Sequence, residues 1–264
     1  MKIAYIGIDL FFPALRELEK NGCEIVKIFS CKTDNITEFN TQIIDYAIKN
    51  KIPYTLQRIT KEDICELISW GCEAIICAGY YYRIPVSEDL PMVNIHPTLL
   101  PLGGGSWPMP IIILEKHKKS GVTFHKIAQE FDAGDIILQK EFVLEEKENH
   151  DTYMDKVYGL LPEMLGELIG NFKQLYEKAV PQGEGEYWQC PEESMYTINA
   201  DMTIKEADLI LRAFYGYECI YRTDTETYVL IKGKAVKEKR EGYLYFELKD
   251  GYVEYENVTV HSML

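Results

Sequence analysis

An amide, an imidazole and a carboxylate occupy one stretch of the chain at spacings that allow them to meet. Asn94 and His96 lie two positions apart at the end of a short apolar run, and Asp132 follows in the sequence FDAGD. If the run is a β-strand, its period of two directs the amide and the imidazole to the same face. Such a trio suits acyl transfer to an amine: Asn94 donates a hydrogen bond to a developing oxyanion, His96 takes the proton of the attacking nitrogen, and Asp132 orients the imidazole.

The same spacing also fits a structural interpretation. A histidine near the end of a strand is often a satisfied core residue, and an aspartate before glycine often forms a turn. Glycines 103–105 make a loop through which backbone can approach a ligand closely. Spacing alone therefore leaves the catalytic and the structural interpretations of these residues equally open.

Five sequence pieces in one order distinguish between the two interpretations. They are Asn-x-His at 94–96, Thr-Leu-Leu-Pro at 98–101, a glycine loop with Gly105 and Pro108, Gly-Val-Thr at 121–123, and Asp-x-Gly-Asp at 132–135. Together these pieces resemble the signature of the folate-dependent formyltransferases. The resemblance implies that Asn94, His96 and Asp132 are the catalytic triad and that 10-formyltetrahydrofolate is the formyl donor.

The resemblance also implies where the donor's pterin binds. Residues 79–85, GYYYRIP, match the family's short Gly/Tyr-rich segment, which ends in Ile-x-Pro or Ile-Leu. Aromatic and apolar walls with exposed backbone donors suit a flat heterocycle. The residues that this match assigns to the pterin pocket are Tyr82, Arg83, Ile84, Glu130 and Phe131.

Apolar runs alternate with amphipathic segments along the first part of the chain. Near-continuous apolar runs are typical of parallel strands covered on both faces, so the alternation predicts a doubly wound, mostly parallel α/β sheet of the Rossmann type, as in the formyltransferase family. Ligands bind such sheets beyond the carboxyl ends of the strands. The predicted strands are residues 2–8, 24–30, 51–56, 74–78, 93–96 and 121–128, and the predicted helices are residues 13–20, 41–50, 61–70, 109–119 and 151–176.

A change in composition follows residue 180. Residues 181–190 begin with a short acidic segment rich in Gly and Pro, as in a linker. We therefore place a catalytic domain at residues 1–180 and a small C-terminal subdomain at residues 191–264.

The C-terminal subdomain is predicted to be a small α+β module. Thr203 and Glu206 form a capping box at the start of a helix, and an Asp-Gly turn joins strands 243–248 and 252–260 in a hairpin. The module resembles the C-terminal subdomain of the longer formyltransferases. Tyrosines that alternate along its strands suggest a homodimer interface.

Composition and charge limit the remaining functions. The chain has 264 residues, of which 47% are hydrophobic and 27% charged, as in an ordinary soluble globular protein. Its formal net charge of −14 disfavours extensive nucleic-acid binding, because acidic surfaces repel phosphates. No apolar run approaches the ~20 residues that span a bilayer, so we expect a cytoplasmic protein without a membrane partner. The seven cysteines form no pair or cluster with metal spacing, which predicts reduced, mostly buried thiols and no metal.

The acceptor needs separate evidence, because the family's fold serves several acceptors. Family members that formylate methionyl-tRNA usually carry arginines in the loop after Leu-Leu-Pro, whereas this chain has Leu102 and Gly104 there. Together with the net charge, these uncharged residues favour formyl transfer to the primary amine of a nucleotide-linked amino sugar, without a nucleic-acid partner. Two alternatives stay open: a methionyl-tRNA formyltransferase, and a catalytically silent protein that binds folate or a nucleotide sugar.

We expect the acceptor to meet two loops. Residues 7–12 follow the first strand at the functional edge of the sheet and lack the GxGxxG of a dinucleotide site. The indole of Trp107 offers a face for stacking on a base or sugar, and closing the loop over the core fits it equally well. The predicted acceptor contacts are Asp9, Phe11, Ser106 and Trp107.

Overall fold

The central element of the chain is a seven-stranded sheet, seen in a computed structural model that describes residues 1–255 and 259–261. The first eight strands are β1 (Lys2–Gly7), β2 (Glu24–Phe29), β3 (Tyr54–Thr55), β4 (Ala74–Ala78), β5 (Met92–His96), β6 (Leu102–Gly104), β7 (Lys119–Lys126) and β8 (Ile136–Val143). All of these except β6 belong to the sheet, in the order β3-β2-β1-β4-β5-β7-β8. Neighbouring strands from β3 to β5 are parallel, whereas β5 and β7 are antiparallel. The predicted mostly parallel α/β sheet is therefore confirmed.

The helices follow the predicted alternation with strands, with two differences in extent. They are α1 (Phe12–Lys20), α2 (Thr41–Asn50), α3 (Lys61–Ser69), α4 (Pro108–Leu114), α5 (His150–Gly170), α6 (Phe172–Glu177) and α7 (Ile204–Ala213). Helix α4 ends before the predicted residue 119, because Lys116 adopts a left-handed φ of 56° that a right-handed helix cannot continue. The helix predicted to reach residue 176 is divided into α5 and α6 at Asn171.

The middle of the sheet is fully apolar and sets the position of the functional edge. Every residue of β4 is buried, and so is every residue of β1 after Lys2, as expected for parallel strands covered on both faces. Strands β1 and β4 are neighbours, but β2 and β3 extend from one side of this pair and β5 from the other. The order of connection reverses between β1 and β4, and ligands bind α/β sheets at such a point, beyond the carboxyl ends of the strands.

Residue contacts divide the chain into two compact units. The first consists of Met1–Ser106, Ser120–Phe142 and Lys156–Trp188, and the second of Trp107–Lys119, Val143–Asp155 and Gln189–Leu264. The first unit contains the central sheet apart from the ends of β7 and β8. The division into domains predicted at residues 181–190 stays a prediction.

The second unit contains two small sheets beside α7. The chain reaches this unit after β9 (Glu186–Tyr187), which pairs with β6 in the first unit. The strands of the second unit's two sheets are β10 (Thr197–Ile198), β11 (Cys219–Arg222), β12 (Thr227–Leu230), β13 (Gly233–Val236), β14 (Leu244–Leu248), β15 (Gly251–Tyr255) and β16 (Thr259–His261). The capping box of Thr203 and Glu206 is present, and β14 and β15 form the predicted hairpin. Residues 256–258 of the predicted strand 252–260 lie outside the described residues. The homodimer predicted through this region stays a prediction.

Three further observations concern membrane-spanning helices, metal sites and cysteines. Within residues 1–255 and 259–261, no helix combines the length and the apolar character needed to cross a membrane. The same residues contain no group of three or more His, Cys, Asp or Glu side chains that could hold a metal ion. All seven cysteines are free, and all but Cys65 and Cys190 are buried.

A glycine in the loop before β8 fixes the approach of that loop to β7. A Cβ atom on Gly134 would lie 1.8 Å from the carbonyl oxygen of Lys126. The neighbouring Asp135 carbonyl accepts a hydrogen bond from the Lys126 N–H at 2.9 Å. Both contacts involve the backbone of β7. This strand therefore cannot move away from a side chain at residue 134 without breaking the hydrogen bond between Lys126 and Asp135.

We predict that Gly134→Ala lowers the free energy of unfolding by about 1–3 kcal/mol through overpacking. Gly159→Ala is the matched control, because Gly159 lies inside α5 with nothing within 4 Å of its added Cβ. That change should raise stability by roughly 0.5–1 kcal/mol, since alanine is the better helix former. Urea denaturation of both variants measures the effects, and equal stability of Gly134→Ala and the parent chain would contradict the close contact.

Candidate active site

Strand β5 presents the amide and the imidazole, as the sequence predicted. Asn94 lies opposite His125 of β7, and His96 lies opposite Thr123. The alternation along both strands places these side chains on one face of the sheet. His96 is only 4% exposed, so its ring is held away from bulk water.

The glycine loop that follows β5 supplies backbone groups to the site. Gly103 and Gly105 have φ values of 74° and 139°, which are left-handed or near-left-handed angles that favour glycine. A Cβ on Gly103 would lie 2.9 Å from the ring of Trp188, and one on Gly105 would lie 2.2 Å from the Trp188 carbonyl oxygen. Glycine is thus required at both positions for the loop to pass under Trp188.

The Gly103 carbonyl determines which nitrogen of His96 carries a proton. Nε2 of His96 lies 2.8 Å from the Gly103 oxygen. A carbonyl only accepts hydrogen bonds, so this nitrogen must be the N–H donor. The lone pair of the neutral ring is therefore on Nδ1, which lies 3.6 Å from Oδ1 of Asp132.

Burial keeps His96 ready to accept a proton. It lowers the pKa of His96 from the ordinary value of 6.5, although the Asp132 carboxylate and the hydrogen bond to Gly103 raise it. At neutral pH the ring is therefore uncharged. Once a proton reaches Nδ1, the adjacent carboxylate stabilises the imidazolium.

Asp132 is an ionised carboxylate in a largely buried position, with 13% of its side chain exposed. Its Oδ2 accepts a hydrogen bond from the Gly105 N–H at 2.9 Å, and its Oδ1 lies 3.5 Å from Nε2 of His125. Burial raises the pKa of Asp132, but His96, His125 and the Gly105 N–H outweigh this effect and lower the pKa to about 2. The carboxylate thus remains charged throughout the physiological range.

His125 orients the amide of Asn94. Nδ1 of His125 lies 2.8 Å from the carbonyl oxygen of Lys126 and must be its donor, which leaves Nε2 of the neutral ring as an acceptor. Nδ2 of Asn94 lies 3.0 Å from that Nε2, so one amide N–H is directed to His125. The other has only a long contact of 3.4 Å to Asp132 Oδ1, which a substrate oxygen can replace.

The structure also brings together the two segments predicted to bind the pterin. The Arg83 guanidinium lies 5.0 Å from the centre of the Phe131 ring and 3.6 Å from a carboxylate oxygen of Glu130. Tyr82 meets the ring of Tyr80 edge-on at 5.4 Å, whereas Ile84 is buried in the core. No helix or strand includes residues 79–91, although the Pro91 carbonyl at the end of this segment accepts a hydrogen bond from the Ile75 N–H of β4.

Three of the four predicted acceptor contacts have structural roles. Both carboxylate oxygens of Asp9 accept backbone N–H groups at the start of α2, from Gln42 and Ile43, at 2.9 Å each. Phe11 is 2% exposed in the core. These contacts replace the predicted acceptor role of both residues, because a buried cap and a core ring are not available to a ligand.

Trp107 likewise belongs to a core. Its ring lies 5.4 Å from Phe214 and 4.9 Å from Tyr217, within the second compact unit. The structure therefore supports the core-closing alternative for Trp107 over stacking on an acceptor. Ser106 is exposed directly after the glycine loop, and its predicted acceptor contact stays a prediction.

Sequence reasoning missed the groups that hold the triad in place. The carbonyl of Gly103 and the N–H of Gly105 are backbone groups, which no motif identifies. His125 belongs to the same group, because its register opposite Asn94 makes it the partner of that amide. The antiparallel pairing of β5 and β7 would have revealed this contact, but the sequence does not determine that pairing.

The chain is similar in sequence to known proteins. A family model described as formyl transferase matches residues 1–169. The methionyl-tRNA formyltransferase of Lactobacillus gasseri is 29% identical over 72% of this chain and 61% of its own length. The corresponding protein of Coprothermobacter proteolyticus is 31% identical over 69% of this chain and 63% of its own length. The chain thus spans about three fifths of the curated relatives that it matches.

The fold is also similar to a solved structure that contains folate. HypX from Aquifex aeolicus in complex with tetrahydrofolic acid superposes with a TM-score of 0.74 and 17% identity, covering 98% of this chain and 44% of HypX. At this level of identity the similarity concerns the fold.

We predict that His96 is neutral at pH 7 with its proton on Nε2, and that it titrates below pH 6.5. Asp132→Asn should lower this pKa further, because the imidazolium loses its neighbouring anion. Nitrogen-15 NMR of the histidine rings measures both effects, with His96→Gln to assign the signal. A proton on Nδ1 of the neutral ring, or a higher pKa in Asp132→Asn, would rule out this arrangement.

Proposed function

The chain belongs to the formyl transferase family, and we propose that it transfers the formyl group of 10-formyltetrahydrofolate to the amine of methionyl-tRNA. The observation that carries the proposal is the convergence of Asn94, His96 and Asp132 within the residues that the family model matches. An amide donor, a neutral imidazole and a carboxylate are the groups that amine attack on a formyl carbon requires. The tetrahydrofolate bound to HypX supports the donor, and the two named relatives support the acceptor.

This acceptor corrects the one favoured by the sequence. From the net charge and the uncharged Leu102 and Gly104, we expected a nucleotide-linked amino sugar and no nucleic-acid partner. That prediction is wrong, because the named relatives, at 29% and 31% identity, are methionyl-tRNA formyltransferases. Leu102 and Gly104 belong to β6, which pairs with β9 through backbone groups.

A local basic segment answers the objection from net charge. Residues 232–240 contain five Lys or Arg and one Glu, although the whole chain carries −14. Arg240 is paired with Glu254, so the four lysines are the cations that we propose contact phosphates. Lys239 lies 4.5 Å from the centre of the Tyr252 ring. Exposed cations beside aromatic rings suit a phosphate backbone and unpaired bases.

The described residues fit a reduced pterin at the contact between Arg83 and Phe131. Tyr82 and Phe131 supply partly or fully exposed aromatic faces, and the irregular segment 79–91 supplies backbone groups for the polar edge of a heterocycle. When bound, 10-formyltetrahydrofolate supplies the formyl group. The assignment of Ile84 and Glu130 to the same pocket is part of this proposal.

In the proposed reaction His96 acts as the general base. His96 would take the proton of the attacking amine on Nδ1, the nitrogen that the Gly103 hydrogen bond leaves unprotonated. It would then return this proton to the nitrogen of the formyl donor, which leaves as its bond to the formyl carbon breaks and the bond from that carbon to the acceptor amine remains. Asp132 stabilises the resulting imidazolium across 3.6 Å. Because the base must be neutral, turnover should fall as the pH drops through the lowered pKa of His96.

Asn94 stabilises the oxyanion. The tetrahedral intermediate carries negative charge on the former carbonyl oxygen, and an N–H donor aimed at that oxygen lowers the barrier. His125 fixes one N–H of the Asn94 amide, so the second N–H points in a defined direction. The contact of this second N–H with Asp132 is long and therefore weak. Little free energy is lost when the N–H leaves Asp132 and bonds the oxygen of the intermediate instead.

We predict that His96→Ala and Asp132→Asn each lower turnover with 10-formyltetrahydrofolate and methionyl-tRNA by roughly 100-fold or more, since each removes part of the proton-transfer pair. The assay follows formation of formylmethionyl-tRNA and release of tetrahydrofolate. Uncharged tRNA and free methionine are the acceptor controls. Near-normal turnover in both variants would remove the triad, and folate binding without turnover in the parent chain would favour the silent alternative.

We also predict that Lys234→Glu with Lys237→Glu raises KM for methionyl-tRNA about tenfold or more, because two phosphate contacts become repulsive. KM for the folate donor should stay unchanged. Lys49→Glu with Lys51→Glu, at the exposed end of α2, reverses the same charge outside the basic segment and serves as the control. Equal effects of the two pairs would show that total charge, and not the segment 232–240, governs tRNA binding.

A further inference from the structure

Residues 180–188, here called the strap, contact both loops that carry the active groups. Composition predicted a linker over most of this segment. At its start, Val180 exchanges two backbone hydrogen bonds with Ile136, at 2.8 and 2.9 Å, directly after the loop of Asp132. At its end, the Trp188 N–H donates to the Gly104 carbonyl at 2.6 Å. The strap therefore connects the carboxylate loop to the glycine loop.

The end of the strap determines the shape of the glycine loop. Strand β9, within the strap, pairs with β6, and the Glu186 N–H donates to the Pro101 carbonyl at 3.1 Å. Trp188 covers the loop so closely that neither Gly103 nor Gly105 has room for a side chain. The same two glycines supply the carbonyl that bonds His96 and the N–H that bonds Asp132.

The middle of the strap holds the turn of Asp132. Nε2 of Gln182 donates to the Asp132 carbonyl at 2.7 Å and to the Gly134 carbonyl at 2.6 Å. A primary amide has two N–H groups, so both are used in bridging the turn. Asp132 needs such support, because its φ of 52° is left-handed and costs free energy in a residue with a side chain.

We propose that Gln182 is a positioning residue, which holds the left-handed turn of Asp132 so that its carboxylate faces Nδ1 of His96. Both N–H groups of the Gln182 amide bond backbone carbonyl oxygens and not the Asp132 carboxylate or the His96 ring. Its influence on the reaction passes through Asp132. The kinetic part of this inference rests on the proposed function, whereas its effect on the titration of His96 does not.

The test replaces the donor while preserving side-chain length. Gln182→Met removes both hydrogen bonds, and Gln182→Glu places a carboxylate against two carbonyl oxygens. We expect both variants to lower kcat by roughly 10- to 100-fold, with the larger loss in Gln182→Glu, because small displacements of catalytic groups have effects of this size. KM for 10-formyltetrahydrofolate should change less than about twofold, since uniform binding is unaffected.

A second measurement separates positioning from loss of structure. Nitrogen-15 NMR should show the His96 titration at lower pH in Gln182→Met, as the carboxylate moves away from the imidazole, while the urea midpoint shows that the variant is folded. The acid limb of the kcat profile should move in the same direction. Gln189→Met is the matched control, because it makes the same exchange at an exposed glutamine outside the strap.

The outcomes distinguish this inference from the proposed function. If the parent chain does not formylate methionyl-tRNA but the His96 titration shifts in Gln182→Met, the acceptor is wrong and the positioning role stands. If the parent chain is active and Gln182→Met keeps both its kcat and its His96 titration, the positioning role is overturned. A fall in stability with an unchanged titration in folded protein would likewise overturn it.

Discussion

The arrangement of the site depends on keeping a largely buried carboxylate charged. Removing Asp132 from water is costly unless donors replace the water, and the structure supplies them from separate parts of the chain. The Gly105 N–H bonds one oxygen, and the Asn94 amide approaches the other. This compensation requires β5 and the glycine loop to meet at one point, so their relative positions follow from the need to satisfy one anion.

The same constraint explains the strained and glycine-rich backbone around the site. Asp132 has a left-handed φ, and Gly103 and Gly105 have angles that other residues rarely adopt. The left-handed conformation of Asp132 costs free energy, which the surrounding contacts must offset, whereas glycine adopts its positive φ angles at little steric cost. Gln182 bonds the carbonyls of the turn, and Trp188 covers the loop, so both supports come from the strap that follows α6. The cost is therefore met by backbone contacts near the reacting groups.

The sequence was sufficient for the parts of the molecule that depend on local pattern. The buried runs of β1 and β4 and the paired polar residues of β5 follow from side-chain periodicity, and the capping box of Thr203 follows from local hydrogen bonding. It was insufficient where function depends on distant backbone. The Gly103 carbonyl acts on His96 only because the loop folds back under Trp188, and the linker-like composition of residues 181–190 conceals backbone pairing.

The acceptor was mispredicted for a different physical reason. A net charge of −14 is a sum over the whole chain, whereas the Debye length at physiological ionic strength is only ~8 Å, so distant carboxylates contribute little at a given surface. The four exposed lysines within residues 232–240 therefore make the local charge of their segment positive although the whole chain is acidic. The triad does not decide this question, because in the proposed reaction Asn94, His96 and Asp132 act only on the amine and the carbonyl. Groups outside the triad must therefore select the acceptor. At those groups the local charge matters more than the net charge of the whole chain.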